Sequence, residues 1–225
     1  MKTFVLGDIH GNYKALLQCL ERSKFDRNED RLISLGDVCD RGKQVKECID
    51  ELLTVPHCIY ILGNHDAWAL DWAVNGKTSQ DWLDQGGFQT QMSYKEGGMP
   101  KDHVRFLSQA LLYFVDKNRL YVHGGFDPET SLEKTSKETF IWDRGLLQKA
   151  QQHHFAHAQY RFGDFNEIFV GHTPTQNFGK NEPQKFCNIW AMDTGAGWHG
   201  RLSIMDVETK KFWQSDKVAD LYETS

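Results

Sequence analysis

No apolar run in this chain approaches the length needed to cross a bilayer, and Met1 to Leu6 is too short for a secretion signal. Cysteine is sparse as well. The 5 that occur in 225 residues are an odd number scattered without CxxC spacing. That pattern argues against a disulfide framework or a thiolate zinc site and for reduced thiols, as in a cytoplasmic protein. Excess positive charge is also missing: the formal net charge is -5, so no basic footprint for nucleic acid exists. Internal repeats and low-complexity linkers are absent.

Present instead are six short apolar runs, each ending beside a residue able to hold a metal ion or steer a phosphate. TFVL runs into Gly7-Asp8-Ile9-His10, LISL into Gly36-Asp37, and IYIL into Gly63-Asn64-His65-Asp66. LYV leads into His123-Gly124-Gly125, IFV into Gly171-His172, and WAM into Asp193-Thr194-Gly195. Runs rich in β-branched and aromatic residues and stopped by Gly, Asp or Asn read as buried strands. Any one of them alone is bland, since the same residues end strands as ordinary turn formers. Repetition carries the inference, because ligands in open α/β architectures bind where strand carboxyl ends converge.

With 40% hydrophobic and 25% charged residues, the composition is that of a globular protein. Its length suits one domain, residues 1–225, with a modest insertion. Strands are expected over 2–6, 32–35 and 58–62, alternating with helices that open at Asn12 and span 43–54. Residues 76–110 read as a small helical excursion forming a rim, in which Trp82, Phe88 and Tyr94 serve as packing residues. Beyond it, 111–115 and 119–122 form a hairpin turning at Lys117-Asn118, followed by a helix over 137–151. Strands are then expected over 167–170, 186–192, 201–207 and 211–214. Parallel units first and antiparallel strands last suggest an α/β fold, a two-sheet sandwich flanked by helices.

Asp8 and His10 lie two residues apart at a strand end, so both side chains can face one way. Asp37, Asn64, His123 and His172 stand at four other ends. Carboxylates mixed with imidazoles suit Mn, Fe or Zn better than the all-oxygen shells of Ca or Mg. The set exceeds what one open catalytic site needs, which favours two divalent ions roughly 3.5–4 Å apart.

The strings GDIHGN, GDVCDRG, GNHD, HGG, GHTP and DTGAG, with DWLDQGGF and IWDRG, resemble the calcineurin-like metallophosphoesterases of the phosphoprotein-phosphatase type. The nearest likeness is to the small bacterial and bacteriophage lambda enzymes, from Phe4 to about Asp206. The resemblance implies that Asp8, His10 and Asp37 hold one metal and that Asp37, Asn64, His123 and His172 hold the other, with manganese first and iron or zinc as alternatives. Arg41, Arg144 and Asn64 are implied to bind the substrate phosphate, and His65 with Asp40 to form the acid pair. The implied reaction is hydrolysis of phosphoserine or phosphothreonine, with phosphotyrosine a possible addition, by direct attack of a metal-bound hydroxide. The partner is then a phosphorylated protein or peptide, or else a small phosphate ester or dinucleotide, with neither nucleic acid nor membrane involved.

Competing readings are few. A cysteine phosphatase needs Arg six residues after its nucleophile, yet Phe25, Val45, Thr54, Asn64 and Asp193 occupy those places. Cys39, between Asp37 and Asp40, reads as a buried filler whose oxidation would perturb the metal site. Arg144 has a solvated helix position as its bland alternative, as do His153, His154 and His157; His199 reads as a turn residue. Asp66 replaces the Glu usual after the third-motif His of protein phosphatases, a feature shared with enzymes that split diadenosine tetraphosphate symmetrically. Those enzymes commonly have Ala where this chain has Asp40, so the dinucleotide hydrolase is the runner-up. A catalytically silent metal scaffold is the third reading, and it has no use for His65.

Overall fold

The computed structural model describes residues 1–95, 97–157 and 159–222. Two five-stranded mixed sheets form the centre. The first sheet has the order β10-β9-β1-β2-β3, comprising β1 (Thr3–Leu6), β2 (Arg31–Ser34), β3 (Cys58–Tyr60), β9 (Ser203–Asp206) and β10 (Phe212–Gln214). The second has the order β4-β5-β6-β8-β7, comprising β4 (Tyr113–Asp116), β5 (Arg119–Val122), β6 (Glu167–Val170), β7 (Gln184–Phe186) and β8 (Ile189–Ala191). β1, β2 and β3 run parallel, as do β5, β6 and β8, so each sheet gathers three strand carboxyl ends at one edge.

Alternation along the central strands explains why they read as continuous apolar runs: both faces are buried. Val5, Ile33, Tyr121, Phe169, Met192 and Met205 pack between the sheets. Phe4, Leu6, Leu32 and Ile204 face the helices of the first sheet, including α1 (Tyr13–Ser23) and α2 (Val45–Leu53). Leu120, Val122, Ile168 and Ile189 face the helical layer of the second, where α7 (Lys137–Trp142) and α8 (Gly145–Ala156) pack. The two-sheet core flanked by helices is therefore as expected.

After α3 (Asn64–Asn75) the chain forms α4 (Gln80–Trp82), a π-turn over Leu83–Gly87, α5 (Phe88–Ser93) and α6 (Lys101–Ser108). Trp82 and Tyr94 are buried as expected, but Phe88 is 56% exposed and packs little. Tyr94 Oη lies 2.8 Å from His103 Nδ1, and His103 Nε2 lies 2.9 Å from Asp50 Oδ1, which ties this helical segment to α2.

Two elements differ from the sequence reading. The helix expected over 137–151 is two helices, because Asp143 adopts an extended backbone and its carboxylate accepts the Leu146 N–H at 2.8 Å, starting α8 anew. The strand expected over 186–192 is a hairpin turning at Cys187-Asn188, where Cys187 takes a left-handed backbone with φ 54. At Lys117-Asn118 the expected turn is present, with φ of 49 and 58 at its two central residues. Among the described residues, 3₁₀ turns over Leu132–Lys134 and Thr175–Phe178 and the short α9 (Val218–Leu221) complete the fold.

Candidate functional site

The carboxyl ends of the six parallel strands meet along the seam between the sheets. Asp8 follows β1, Asp37 follows β2 and Asn64 opens α3 just after β3. From the second sheet, His123 follows β5, His172 follows β6 and Asp193 follows β8. All six are buried, together with His10, Asp40 and His65. The seam is stitched across, since the His172 N–H donates to Asp8 Oδ2 at 3.0 Å and His123 Nδ1 donates to the Leu35 carbonyl at 2.7 Å.

Asp37 stands at the centre. Its Oδ2 lies 3.3 Å from His123 Nε2 and 3.7 Å from His10 Nε2, while Oδ1 accepts the His65 N–H at 3.0 Å. Asn64 Oδ1 approaches the same His123 Nε2 to 3.1 Å. Because carbonyl oxygens only accept, Nδ1 carries the proton in His123 and, through Cys39 O at 2.8 Å, in His10. In the neutral rings, both Nε2 lone pairs then point at carboxylate or amide oxygens. Acceptors facing acceptors in a buried site repel unless a positive charge lies between them. The donor set thus fits divalent cations. Donor atoms of Asp37, His123 and His172 lie within 4.8 Å of one another, and so do those of His10, Asp37 and His65. Asp37 is common to both groups. Asp8 lies outside both groups, and its carboxylate accepts the His172 N–H. His65 joins the second group, although its expected part was that of an acid.

Ionisation follows from the same crowding. Burial, Asp193 and Asp37 push Asp8 well above the ordinary carboxyl range, with His123 opposing. Burial would raise Asp37 too, but the surrounding His123, His65 and His10 hold it well below. Burial opposes a charge on His123, yet Asp37 outweighs it and lifts the ring to about 10. His172 falls to about 2 through burial, His123 and Arg144. Without a cation, a proton on His123 Nε2 separates that ring from Asp37; a divalent ion would take over that charge.

A second constellation adjoins the first. His65 Nδ1 is 2.6 Å from Asp40 Oδ2, and Asp40 also accepts from Trp82 Nε1 at 2.9 Å and Thr90 Oγ1 at 2.6 Å. The helical segment after α3 therefore fixes the Asp40–His65 pair directly. The Arg41 N–H donates to the Gly86 carbonyl at 3.1 Å; at φ 104, Gly86 could not carry a Cβ without striking Arg41. Arg41 Nη2 reaches His65 Nε2 at 3.3 Å, and its guanidinium lies 4.1 Å from the Trp198 ring centroid. Arg144 begins α8 beside the cleft, donating to the His172 carbonyl at 2.9 Å. The cleft lined by His10, Asp37, Arg41, Arg144 and His172 encloses about 180 Å³.

Five of these residues adopt left-handed backbone: His10, Asp37, Asp40, Arg41 and His172, with φ between 49 and 71. For residues with a Cβ this costs about 1–2 kcal/mol each, a strain that concentrates at functional sites. At Gly63 the constraint is contact, because a Cβ there would land on the Asp37 carboxylate.

Sequence reasoning assigned no part in the site to three residues. Asp193 lines the cleft, raised to about 6 mainly by burial. Trp198 lines it as well, and nothing in the local pattern marked it. Asp66 was read as a substrate marker, but its carboxylate accepts five donors: the N–H groups of Asp37, Val38, Cys39 and Gly63, and Tyr60 Oη. It holds the loop that carries Asp37 and is not among the residues lining the cleft. Asp66→Ala would strand those buried donors. A loss of about 3–5 kcal/mol is expected, read as a lowered denaturation midpoint; an unchanged midpoint would contradict the scaffolding role. His153, His154 and His157 remain outside the cleft: His153 stacks on Tyr160, and His154 Nδ1 accepts the Cys187 N–H at 3.2 Å.

The sequence model of calcineurin-like phosphoesterases matches residues 1–201. Serine/threonine-protein phosphatase 2 of Salmonella typhimurium is 44% identical over 217 residues, 91% of this chain and 92% of that protein. The symmetrical bis(5'-nucleosyl)-tetraphosphatase of Pseudomonas syringae pv. tomato is 28% identical over 179 residues, 78% of this chain and 54% of that one. Among solved structures, a metallophosphoesterase from Sphaerobacter thermophilus superposes with a TM-score of 0.63 at 18% identity, covering 96% of this chain and 89% of that one. Among the described residues, no helix is long and apolar enough to cross a membrane.

Proposed function

The chain belongs to the calcineurin-like phosphoesterase family, and from that premise we propose that it is a phosphoprotein phosphatase, acting on phosphoserine and phosphothreonine and secondarily on phosphotyrosine. In this reading residues 1–225 form one metallophosphoesterase domain, with 76–110 as its rim insertion. Asp8, His10 and Asp37 hold one divalent ion, and Asp37, Asn64, His123 and His172 hold the other, manganese being the first choice. When bound, such a pair lowers the pKa of a water toward neutrality and offsets the charge of the phosphoryl oxygens.

The chain's own side chains supply the remainder. Arg41 and Arg144 present planar forks to the phosphoryl oxygens, a bidentate geometry that Lys cannot match, and Asn64 adds an amide. An arriving phosphate draws Arg41 off His65 Nε2, which frees that nitrogen to take a proton from solvent water and pass it to the leaving oxygen. Asp40 keeps the ring oriented through Nδ1, and Trp82 and Thr90 keep Asp40 in place.

The observation that carries the protein-phosphatase reading is the 2.6 Å contact between Asp40 and His65. A serine or threonine alkoxide has a high pKa and needs a proton as it departs, whereas ADP leaves as a stabilised anion. Similarity to the Salmonella phosphatase over nine-tenths of both chains supports the same reading. Similarity to the Pseudomonas tetraphosphatase favours a second one, symmetrical cleavage of diadenosine tetraphosphate. Manganese-loaded protein offered a phosphopeptide and the dinucleotide in parallel decides between them. Faster release of phosphate from the peptide is expected, and efficient conversion of the dinucleotide to ADP alone would install the alternative.

Ion removal gives a separate check. Because the carboxylates and imidazoles crowd the seam between the sheets, chelation is expected to abolish turnover and to lower the thermal midpoint. Manganese at a hundredfold excess over its dissociation constant should restore about 2.7 kcal/mol. Equal midpoints with and without manganese would count against a dinuclear site in the seam.

A further inference from the structure

The cleft at the seam is too small for anything beyond a phosphoryl group and its ions: its volume of about 180 Å³ falls below the usual range for ligand sites. Whatever is attached to the phosphate must lie outside it. Trp198, Pro174 and Asn177 line this cleft and also a neighbouring groove of about 550 Å³ that runs on to His199, Arg201 and Lys217. The groove is therefore the continuation of the cleft on the Trp198 side.

Its charge is opposite to that of the protein. Acidic residues outnumber basic ones, 31 to 26, yet the groove is lined by Arg201 and Lys217 and by no carboxylate among the described residues. Arg201 Nη1 is anchored to the Ser215 carbonyl at 2.7 Å, which fixes one cation in the wall. Lys217 is exposed, and its neighbour Asp216 is taken by Arg22 at 2.9 Å, so the Lys217 charge is left to the groove. Trp198, 60% exposed, stands between the two spaces with the Arg41 guanidinium over its ring, linking the phosphate clamp to the groove mouth.

We propose that this groove receives the polypeptide flanking the phosphorylated residue and selects segments bearing acidic side chains. The proposal rests on the protein-phosphatase reading. Charge complementarity is its argument: an acidic segment is attracted by Lys217 and Arg201 where most of the surface would repel it. Trp198 offers flat, rigid contact area at low entropic cost to the residue next to the phosphate.

The test compares one phosphoserine peptide flanked by glutamates with the same peptide flanked by lysines, using manganese-loaded wild type and Lys217→Glu. Hydrolysis of p-nitrophenyl phosphate provides the reference that the reaction itself is intact. The wild type is expected to favour the acidic peptide in kcat/KM by roughly threefold to fivefold, and K217E to erase or invert that ratio. Raising the salt concentration should shrink the preference in the wild type. Because Lys217 is exposed, the thermal midpoint of the variant should match that of the wild type, which separates recognition from folding. Cleavage of both peptides at equal rates, or an unaltered ratio in K217E, overturns the groove assignment and leaves the phosphatase reading standing. Turnover of p-nitrophenyl phosphate or diadenosine tetraphosphate with neither peptide cleaved overturns both.

Discussion

Replacing Asp37 by asparagine is expected to empty both cation positions together and to slow hydrolysis of every phosphate ester by at least about a thousandfold. The substitution is close to isosteric. Asn Oδ1 still accepts the His65 N–H, now at 3.0 Å from Asp37 Oδ1, and the new amide faces His123 Nε2, at present 3.3 Å from Oδ2, as a donor to a ring nitrogen. Folding should therefore survive while the central negative charge disappears. Asp37 is the one residue common to both groups of close donor atoms, so no other single change should affect the two ions equally. Counting bound manganese by elemental analysis, alongside circular dichroism, reads the result. A variant that retains one ion per chain at full occupancy would show that Asp37 does not bridge.

Replacing His65 by asparagine should divide substrates by the quality of their leaving group. Loss of a general acid slows reactions by roughly 10²–10⁴-fold where the departing oxygen is strongly basic. Phosphoserine peptides should show that loss, while p-nitrophenyl phosphate, whose leaving group needs little protonation, should lose less than about tenfold. Asp40 would keep its contacts with Trp82 and Thr90, so the surrounding loop has reason to stay in place. The variant also settles a structural ambiguity. His65 lies within ligand distance of His10 and Asp37, so a role as metal ligand predicts a missing ion and equal losses on both substrates. Full ion content with unequal losses would assign the acid.

Much of the architecture could be read from the chain because both faces of the central strands are buried. That burial turned six strands into apolar runs, and the glycines and carboxylates at their ends marked where the runs stop. His10, Asp37, Asn64, His123 and His172 converge as that pattern implied, and Asp8 reaches the same seam by holding the His172 backbone. What escaped notice depends on contacts distant in sequence. Asp66 was invisible as a scaffold because its donors lie 27 to 29 positions upstream, apart from Tyr60 and Gly63. Trp82 and Thr90 looked like packing in a peripheral segment, and only the fold brings them onto Asp40, 42 and 50 residues away. The turn at Cys187-Asn188 carries no glycine or proline; the Asn188 side chain satisfies Phe162 and Phe165 instead, so the apolar run reads straight through it. The break at Asp143 did leave a signal, a helix-capping residue three places before Leu146, inside a run otherwise periodic enough to pass as one helix.

The left-handed residues around the cleft carry a consequence for anyone who would evolve this protein. At Arg41, the one of the five that is only half-buried, glycine would relieve the main chain without stranding a buried donor, so selection for heat tolerance alone has a downhill route through the reactive centre. Libraries screened only for survival on heating should accumulate sturdy, inert clones altered at this place. Hardening this scaffold without losing its chemistry means looking elsewhere, on the outer helices, and scoring every round by phosphate released.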